Sequence, residues 1–310
     1  MFERVVKMMV GSVAFAALAA SAFNPNEVDR EKMLMGTNHY EPMFNDGSRI
    51  IMLKECSMTQ MTGIIVKTPH DHVIVFDGGN LVDTDNLIDW VRLINGGKVS
   101  AWFHTHPHND HYGVLQKILT EKPDALEIPF VAHDFPPMEW CEGSSDKELL
   151  EIQPILDKSG IRQVRITKGM KWTYDGVTVT ALNQFISEPK RSINDVSIVF
   201  KVELGGKTFM VTGDVHEITS DRLIEEYGDA LKCDIVQVSH HGQNGAPKRF
   251  YEKVNPEMAL WPTPYWLWEN STDGKHLGNF IYKTNYTKCW FQEIGCKRHY
   301  ITMGHDVVIE

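Results

Sequence analysis

Cysteine is scarce and unpatterned in this sequence. Of 310 residues only five are cysteines, Cys56, Cys141, Cys233, Cys289 and Cys296, an odd number with no CxxC pair. Neither a Cys-rich zinc module nor a complete disulfide framework is implied, and buried free thiols are the expected state, with a Cys289–Cys296 bridge as the alternative. An excess of positive charge is also missing: 31 Lys and Arg stand against 41 Asp and Glu, a net charge of -10. That balance argues against tight binding through a broadly basic surface, because neutralising phosphates takes clustered Lys and Arg. Nucleic acid is left as a possible substrate only, held at a local site by a metal. No internal repeat, low-complexity tract or long linker divides the chain. Beyond the N-terminus no segment is long and apolar enough to cross a bilayer, so no stable membrane domain is expected outside the leader.

The N-terminus itself is informative. Arg4 and Lys7 precede the uncharged run Met8–Phe23, and Ala20, Ser21 and Ala22 supply small residues where a signal peptidase cuts. Residues 1–22 therefore read as an export signal, which predicts a secreted or cell-surface protein. The alternatives are an uncleaved membrane anchor and a hydrophobic helix packed on the domain, but the run is short and Ala-rich for a spanning helix. A polar Pro- and Asn-containing stretch follows, read as a linker or embellishment over 23–47, and residues 48–310 read as one domain.

In that domain short apolar runs alternate with amphipathic ones. RIIML, TGIIVKT, HVIVFD and VSAWFHT read as strands, with a helix in DTDNLIDWVRLI; then come a helix in GVLQKILTE, a strand in IPFVAH and a helix in SDKELLEIQPILDKSG. The pattern restarts with strands in VTVTALN, VSIVFKVEL and KTFMVTGD, a helix in EITSDRLIEEYG, a strand in CDIVQVSHHG and a terminal strand in DVVIE. The Gly-Gly pair in ELGGK marks a hairpin. Strands followed by helices in both halves predict an α/β fold with two sheets sandwiched between helix layers.

The densest chemistry lies in WFHTHPHNDHYG, residues 102–113, with four histidines and an aspartate just after a strand. Alternate residues of an extended loop point to one side, so His106 and His108 can hold one ion while Asp110 and His111, further round the turn, face another. A helix is expected to begin near His111. Imidazole and carboxylate suit zinc first, with manganese or iron as alternatives. A polar surface loop with incidental histidines is the bland alternative. His104 falls inside the strand, where orienting a ligand through a hydrogen bond is the favoured role.

HxHxDH after a strand resembles the signature of the metallo-β-lactamase fold superfamily, and further motifs follow in the same order. VIVFDGG (73–79) resembles the strand and Asp that precede the signature; FMVTGDV (209–215) resembles the strand ending in a bridging Asp, here Asp214; VQVSHHG (236–242) resembles the strand ending in a late metal-binding His. The resemblance covers the chain from about residue 50 onward and implies a four-layer αββα sandwich with one or two divalent metal ions. Asp214 could instead cap the helix EITSDRLIEEYG, but a carboxylate between two dications balances their charge. His240 and His241, adjacent in sequence, cannot easily reach one ion from a regular strand, so one is expected to bind metal and the other to donate a proton or support a ligand.

One departure narrows the family. β-Lactamases and glyoxalase-type thiolesterases carry a further His between the signature and the bridging Asp; here the only histidine between Tyr112 and Asp214 is His133, too early in the chain. Asn194 to Ser197 stands near the expected place, which resembles the competence-protein (ComEC-like) and phosphorylcholine esterase branch. Asn194 could hold the first metal through its amide oxygen, position a phosphate oxygen, or simply form a turn. That resemblance implies hydrolysis of a small-molecule or cell-envelope phosphoester by activated water. Asp110 could orient the water, and the His of the 240–241 pair that holds no metal could protonate the leaving group. The alternatives are hydrolysis of a lactone or lactam on the same site and a non-catalytic metal-binding module. Lastly, Trp261, Tyr265, Trp266 and Trp268 form an aromatic segment that could bind a quaternary ammonium, stack on a base or line a sugar site, or else pack over the core.

Overall fold

Period-two burial organises the strands. In β3 (Val73–Asp77), Ile74 and Phe76 join one apolar cluster and Val73 and Val75 another, as successive side chains of a strand must. The computed structural model describes residues 43–141, 148–270 and 282–310. The expected leader and residues 23–42 of the expected linker lie outside the described residues.

Among the described residues there are two seven-stranded sheets. The first runs β14 (Val307–Ile309), β1 (Arg49–Met52), β2 (Gly63–Lys67), β3, β4 (Ala101–Phe103), β5 (Val131–His133), β6 (Gln163–Arg165). The second runs β13 (Arg298–Ile301), β12 (Met258–Trp261), β11 (Ile235–Gln237), β10 (Lys207–Val211), β9 (Phe200–Leu204), β8 (Val177–Ala181), β7 (Lys171–Tyr174). The helices are α1 (Thr84–Asn95), α2 (Asn109–Glu121), α3 (Glu148–Ser159), α4 (Glu217–Tyr227), α5 (Lys248–Val254), the single turn α6 (Tyr265–Trp268) and α7 (Thr284–Ile294).

Three apolar clusters establish four layers. Ile64, Phe76 and Phe103 of the first sheet meet Val179, Phe200 and Phe209 of the second in a core between the sheets, which also takes in Phe44. Leu87, Val91, Leu115, Ile118 and Ile152 cover the outer face of the first sheet from α1, α2 and α3. Leu223, Phe250, Tyr251 and Phe291 cover the second from α4, α5 and α7. The expected αββα sandwich is what the chain adopts.

Both sheets change character at the corresponding place. Strands β1, β2 and β3 pair antiparallel, then β3 to β6 run parallel. Likewise β7 to β10 pair antiparallel and β10 to β13 run parallel. Loops leaving the carboxyl ends of strands beside such a switch open a crevice, and ligands of open α/β sheets sit there. Asp77 ends β3, and the loops after β4, β10 and β11 carry the histidine motif, Asp214 and the His240–His241 pair.

The expected strands and helices are present, the Gly-Gly hairpin between β9 and β10 has both glycines at positive φ, and the terminal strand crosses back to pair with β1. The helix after the histidine motif starts earlier than expected, at Asn109, because His108 keeps an extended backbone and its carbonyl accepts from the amides of His111 and Tyr112. Strands β6 and β7 were not anticipated: QVR and KWTY are short, largely exposed and at sheet edges, so little periodicity marks them. Cys56, Cys233, Cys289 and Cys296 are free thiols. No helix of the described residues is long and apolar enough to cross a membrane.

Candidate metal centre

Asp77 ends β3 with a positive φ, fully buried, and two glycines follow it. Its Oδ1 accepts from the Thr105 amide at 2.8 Å, and Oδ2 accepts from Thr105 Oγ1 at 2.9 Å and from His111 Nδ1 at 2.8 Å. Burial opposes ionisation, yet the charge of His111, its hydrogen bond and the nearby His104 hold the Asp77 carboxyl well below the usual range. His104 is buried beside it, with Nδ1 3.5 Å from Asp77 Oδ1 and neither ring nitrogen in a well-formed hydrogen bond. The hydrogen bond to a ligand expected of His104 is not formed; its ring lies beside Asp77 instead.

The hydrogen bonds fix three imidazole tautomers. Thr105 Oγ1 donates to Asp77, so at 3.0 Å from His106 Nδ1 it accepts, and the proton of His106 is on Nδ1. His111 gives its Nδ1 proton to Asp77, and His241 gives its own to the Pro262 carbonyl at 3.0 Å. Each ring thereby turns Nε2 toward the crevice. Fixing the far nitrogen in this way sets the tautomer and orientation of a metal-binding imidazole.

Two overlapping donor sets result. Asp110, His111, Asp214 and His241 bring one ligand atom each within 4.8 Å of one another, and so do His106, His108 and Asp214. Asp214, nearly fully buried, belongs to both. Its Oδ1 stands 3.3 Å from His111 Nε2, yet neither atom is in a hydrogen bond, so two buried polar atoms face each other unsatisfied. Buried polar atoms are rarely left so, and an ion is a common explanation. A donor set of imidazoles and carboxylates suits zinc, manganese or iron; the residues present fit a divalent cation.

The electrostatics follow from crowding. Burial disfavours charge on His111, but Asp214, Asp77 and Asp110 carry its pKa well above the ordinary value; for His241 burial is outweighed in the same way by Asp214 and Asp110. His106 is held well below by burial and by the neighbouring His111 and His108. Asp110 falls to about 2 and Asp214 further, burial being overcome by the facing imidazoles, His111 first in each case.

Of the His240–His241 pair, His241 enters a donor set, while His240 enters neither. Both histidines have left-handed backbones, which divides the two rings. His240 Nε2 accepts from Gln243 Nε2 at 2.9 Å and from Asn194 Nδ2 at 3.3 Å, and its Nδ1 faces His216 Nε2 at 2.9 Å. Burial takes the His240 pKa down to about 4. Asn194 Oδ1 is buried without a partner.

Capping of α4 does not use Asp214. His216 occupies the cap position, and the Asp195 carboxylate accepts from the amides of His216 and Thr219 at 2.9 and 3.1 Å. Asp195, Thr105, His216 and Gln243 were not singled out from sequence; Asp195 and Thr105 flank named residues, and nothing in their spacing distinguishes them. The aromatic segment divides: Trp261 and Trp268 are core, Trp266 Nε1 donates to the Met58 carbonyl, and Tyr265 is 53% exposed.

Two mixed sheets between helix layers, with paired His/Asp donor sets where each sheet switches direction, define a class of α/β proteins built to hold metal. Residues 60–261 match the metallo-beta-lactamase superfamily model. The chain belongs to that superfamily, whose members are generally metal-dependent hydrolases. It is 33% identical over 97 residues to competence protein ComA of Neisseria gonorrhoeae, 31% of this chain and 14% of that protein. It is 23% identical over 178 residues to ComE operon protein 3 of Bacillus subtilis (strain 168), 56% of this chain and 21% of that protein. The chain thus spans between 14% and 21% of these relatives' lengths. Among solved structures, the metallo-beta-lactamase fold protein YhfI from Bacillus subtilis matches with TM-score 0.50 and 10% identity, covering 84% of this chain and 99% of that one. CmlA, a diiron beta-hydroxylase from Streptomyces venezuelae, matches with TM-score 0.51 and 11% identity over 84% of this chain and 53% of its own. At such identities the likeness is one of fold.

Proposed function

We propose that the protein hydrolyses phosphoesters, phosphodiesters in particular, of a small molecule or of the cell envelope. His106, His108 and Asn194 would hold one ion, Asp110, His111 and His241 a second, with Asp214 between them; zinc is the favoured metal. The observation that carries the reading is Asn194. Where lactamases and thiolesterases supply a third imidazole, this chain offers an amide whose Oδ1 is buried and unpartnered while Nδ2 donates to His240. An unpartnered acceptor suits a cation rather than a phosphate oxygen, so of the roles open to Asn194 we assign metal holding. Sequence similarity to two competence proteins supports the same branch.

A divalent ion bound here lowers the pKa of water toward neutrality and neutralises the charge growing on the phosphoryl oxygens. The chain's own contribution is orientation and proton handling. Asp77, through Thr105 and His111, keeps two imidazoles in one tautomer. Asp110 is ionised near pH 7 and accepts a hydrogen bond from the attacking water. His240, neutral near pH 7, has no proton to supply from Nε2, which accepts from Gln243 and Asn194; protonation of the leaving alkoxide falls to water.

The test is metal content and hydrolysis of bis-p-nitrophenyl phosphate, beside a lactone, for the protein and its Asp110→Ala and Asp214→Ala forms. Diester turnover lost in both variants is expected. Bound metal and lactone cleavage without diester cleavage would overturn the phosphoester reading in favour of acyl hydrolysis.

A further inference from the structure

We propose that a second cavity, separate from the metal centre, binds a phosphate group through Arg191 and Arg222. The cavity, of about 430 Å³, lies between α4 and the segments following β6 and β8, and both arginines line it together with Lys168, Thr219 and Glu226. The inference does not depend on the hydrolase reading.

Three observations carry it. First, the two guanidinium groups line one cavity close enough to repel each other, yet neither forms an ion pair with a carboxylate among the described residues. Arg191 donates to the carbonyls of Asp195, Ile186 and Pro189, and Arg222 to that of Glu188, so their hydrogen bonds go to backbone oxygens, while the Asp195 carboxylate attracts Arg191 without forming an ion pair with it. Carbonyls orient a guanidinium without cancelling its charge. Second, the donors are not used up: Arg191 Nη2 has no acceptor among the described residues, and Arg222 Nη1 is shut off from solvent without a partner. Third, of the acids that line the cavity, Glu226 is engaged by Lys168 at 2.7 Å. Glu225 also lines the cavity, which leaves the lining with a surplus of positive charge.

A planar fork of N–H donors fits the oxygens of a phosphate, and two such forks held by rigid backbone lose little freedom on binding one. Thr219, on the cavity wall, also gives its amide to Asp195, the residue after Asn194, so the cavity shares a wall with the support of the metal centre. The phosphate could come free in solution or from a neighbouring link of a polymeric phosphodiester.

Equilibrium dialysis with radiolabelled inorganic phosphate on the full chain tests the proposal. Binding is expected to persist in Asp214→Ala, which removes the donor shared by both metal sets, and to weaken about tenfold when Arg222→Gln is added. Arg222 is the better residue to change, because it makes one backbone bond where Arg191 makes three. As a measurement needing no variant, phosphate should protect Arg191 and Arg222 from phenylglyoxal in the wild-type protein, read by peptide mass spectrometry. Displacement of the label by a thymidine tetranucleotide without terminal phosphates supports a polymer link as the source; displacement by inorganic phosphate alone supports free phosphate. Phosphate binding that disappears in Asp214→Ala, is unchanged by Arg222→Gln, or fails to protect the arginines would overturn the proposal.

Discussion

Asp77 Oδ2 lies 2.8 Å from His111 Nδ1 at the end of a fully buried strand, and the same carboxylate holds Thr105, which in turn holds His106. One acid therefore governs an imidazole in each donor set, although it belongs to neither.

Replacing that acid by its amide tests the arrangement. In Asp77→Asn the shape is kept, but the negative charge that makes both imidazoles better donors is lost. Metal affinity should fall by about 10–100-fold, read by competition with a chromophoric chelator. Affinity equal to the parent's would mean that Asp77 serves only the fold.

The metal-free protein should show an unusual dependence of stability on pH. His111 and His241 have pKa values raised in the folded chain. Their contribution is therefore complete below the unfolded value of about 6.5 and is lost as pH rises through the raised values. His106 and His240, held neutral by burial, act in the opposite sense: the unfolded chain takes up their protons below about pH 6.5 and stability falls there. Metal-free protein should thus be most stable near about pH 6.5 and lose melting temperature as pH rises above that. Added zinc competes with those protons, so its stabilisation should grow over the same rise. Scanning fluorimetry with and without zinc measures both curves; a metal-free melting temperature that climbs from neutral to alkaline pH contradicts the assignment.

Gly213 precedes Asp214 with φ +54°, and a Cβ there would lie 2.6 Å from both Cβ and Oγ1 of Thr105. Gly213→Ala should cost about 1–3 kcal/mol through backbone strain and overpacking. Because the clash falls on the residue that links Asp77 to His106, metal affinity should drop as well. Chemical denaturation and metal titration separate the two effects, and destabilisation with unchanged metal affinity would show that Thr105 moves without carrying His106 along.

The frame of this molecule was legible because it rests on repeated signals. Apolar runs such as VIVF and IIV must be buried on both faces, and a glycine pair between two strands permits few turns. The six metal-facing residues of the donor sets declared themselves by side-chain type. Their supports did not. Thr105 and Asp195 act through single hydrogen bonds set by how two sheets and a helix meet, and Arg191 and Arg222, separated by thirty-one positions in the chain, acquire meaning only where the fold sets them on one cavity. The choice between His240 and His241 was likewise undecidable, since it depends on two consecutive left-handed residues that replace the expected strand geometry.

That choice yields the sharpest separation by mutation. His241 Nε2 is 3.1 Å from Asp110 Oδ2 and 3.6 Å from Asp214 Oδ2, with its far nitrogen on the Pro262 carbonyl. His240 instead spends Nε2 on Gln243 and Asn194, and stands outside both donor sets. His241→Gln should therefore remove one ion of two and most of the activity. His240→Gln should keep both ions and reduce kcat by about 10–100-fold, the span for a residue that orients a metal-holding group, with little change in KM. Metal analysis and steady-state kinetics on the two variants decide the matter. Loss of an ion from the His240 variant would exchange the roles of the pair, and full activity in it would show that Asn194 holds its place without His240.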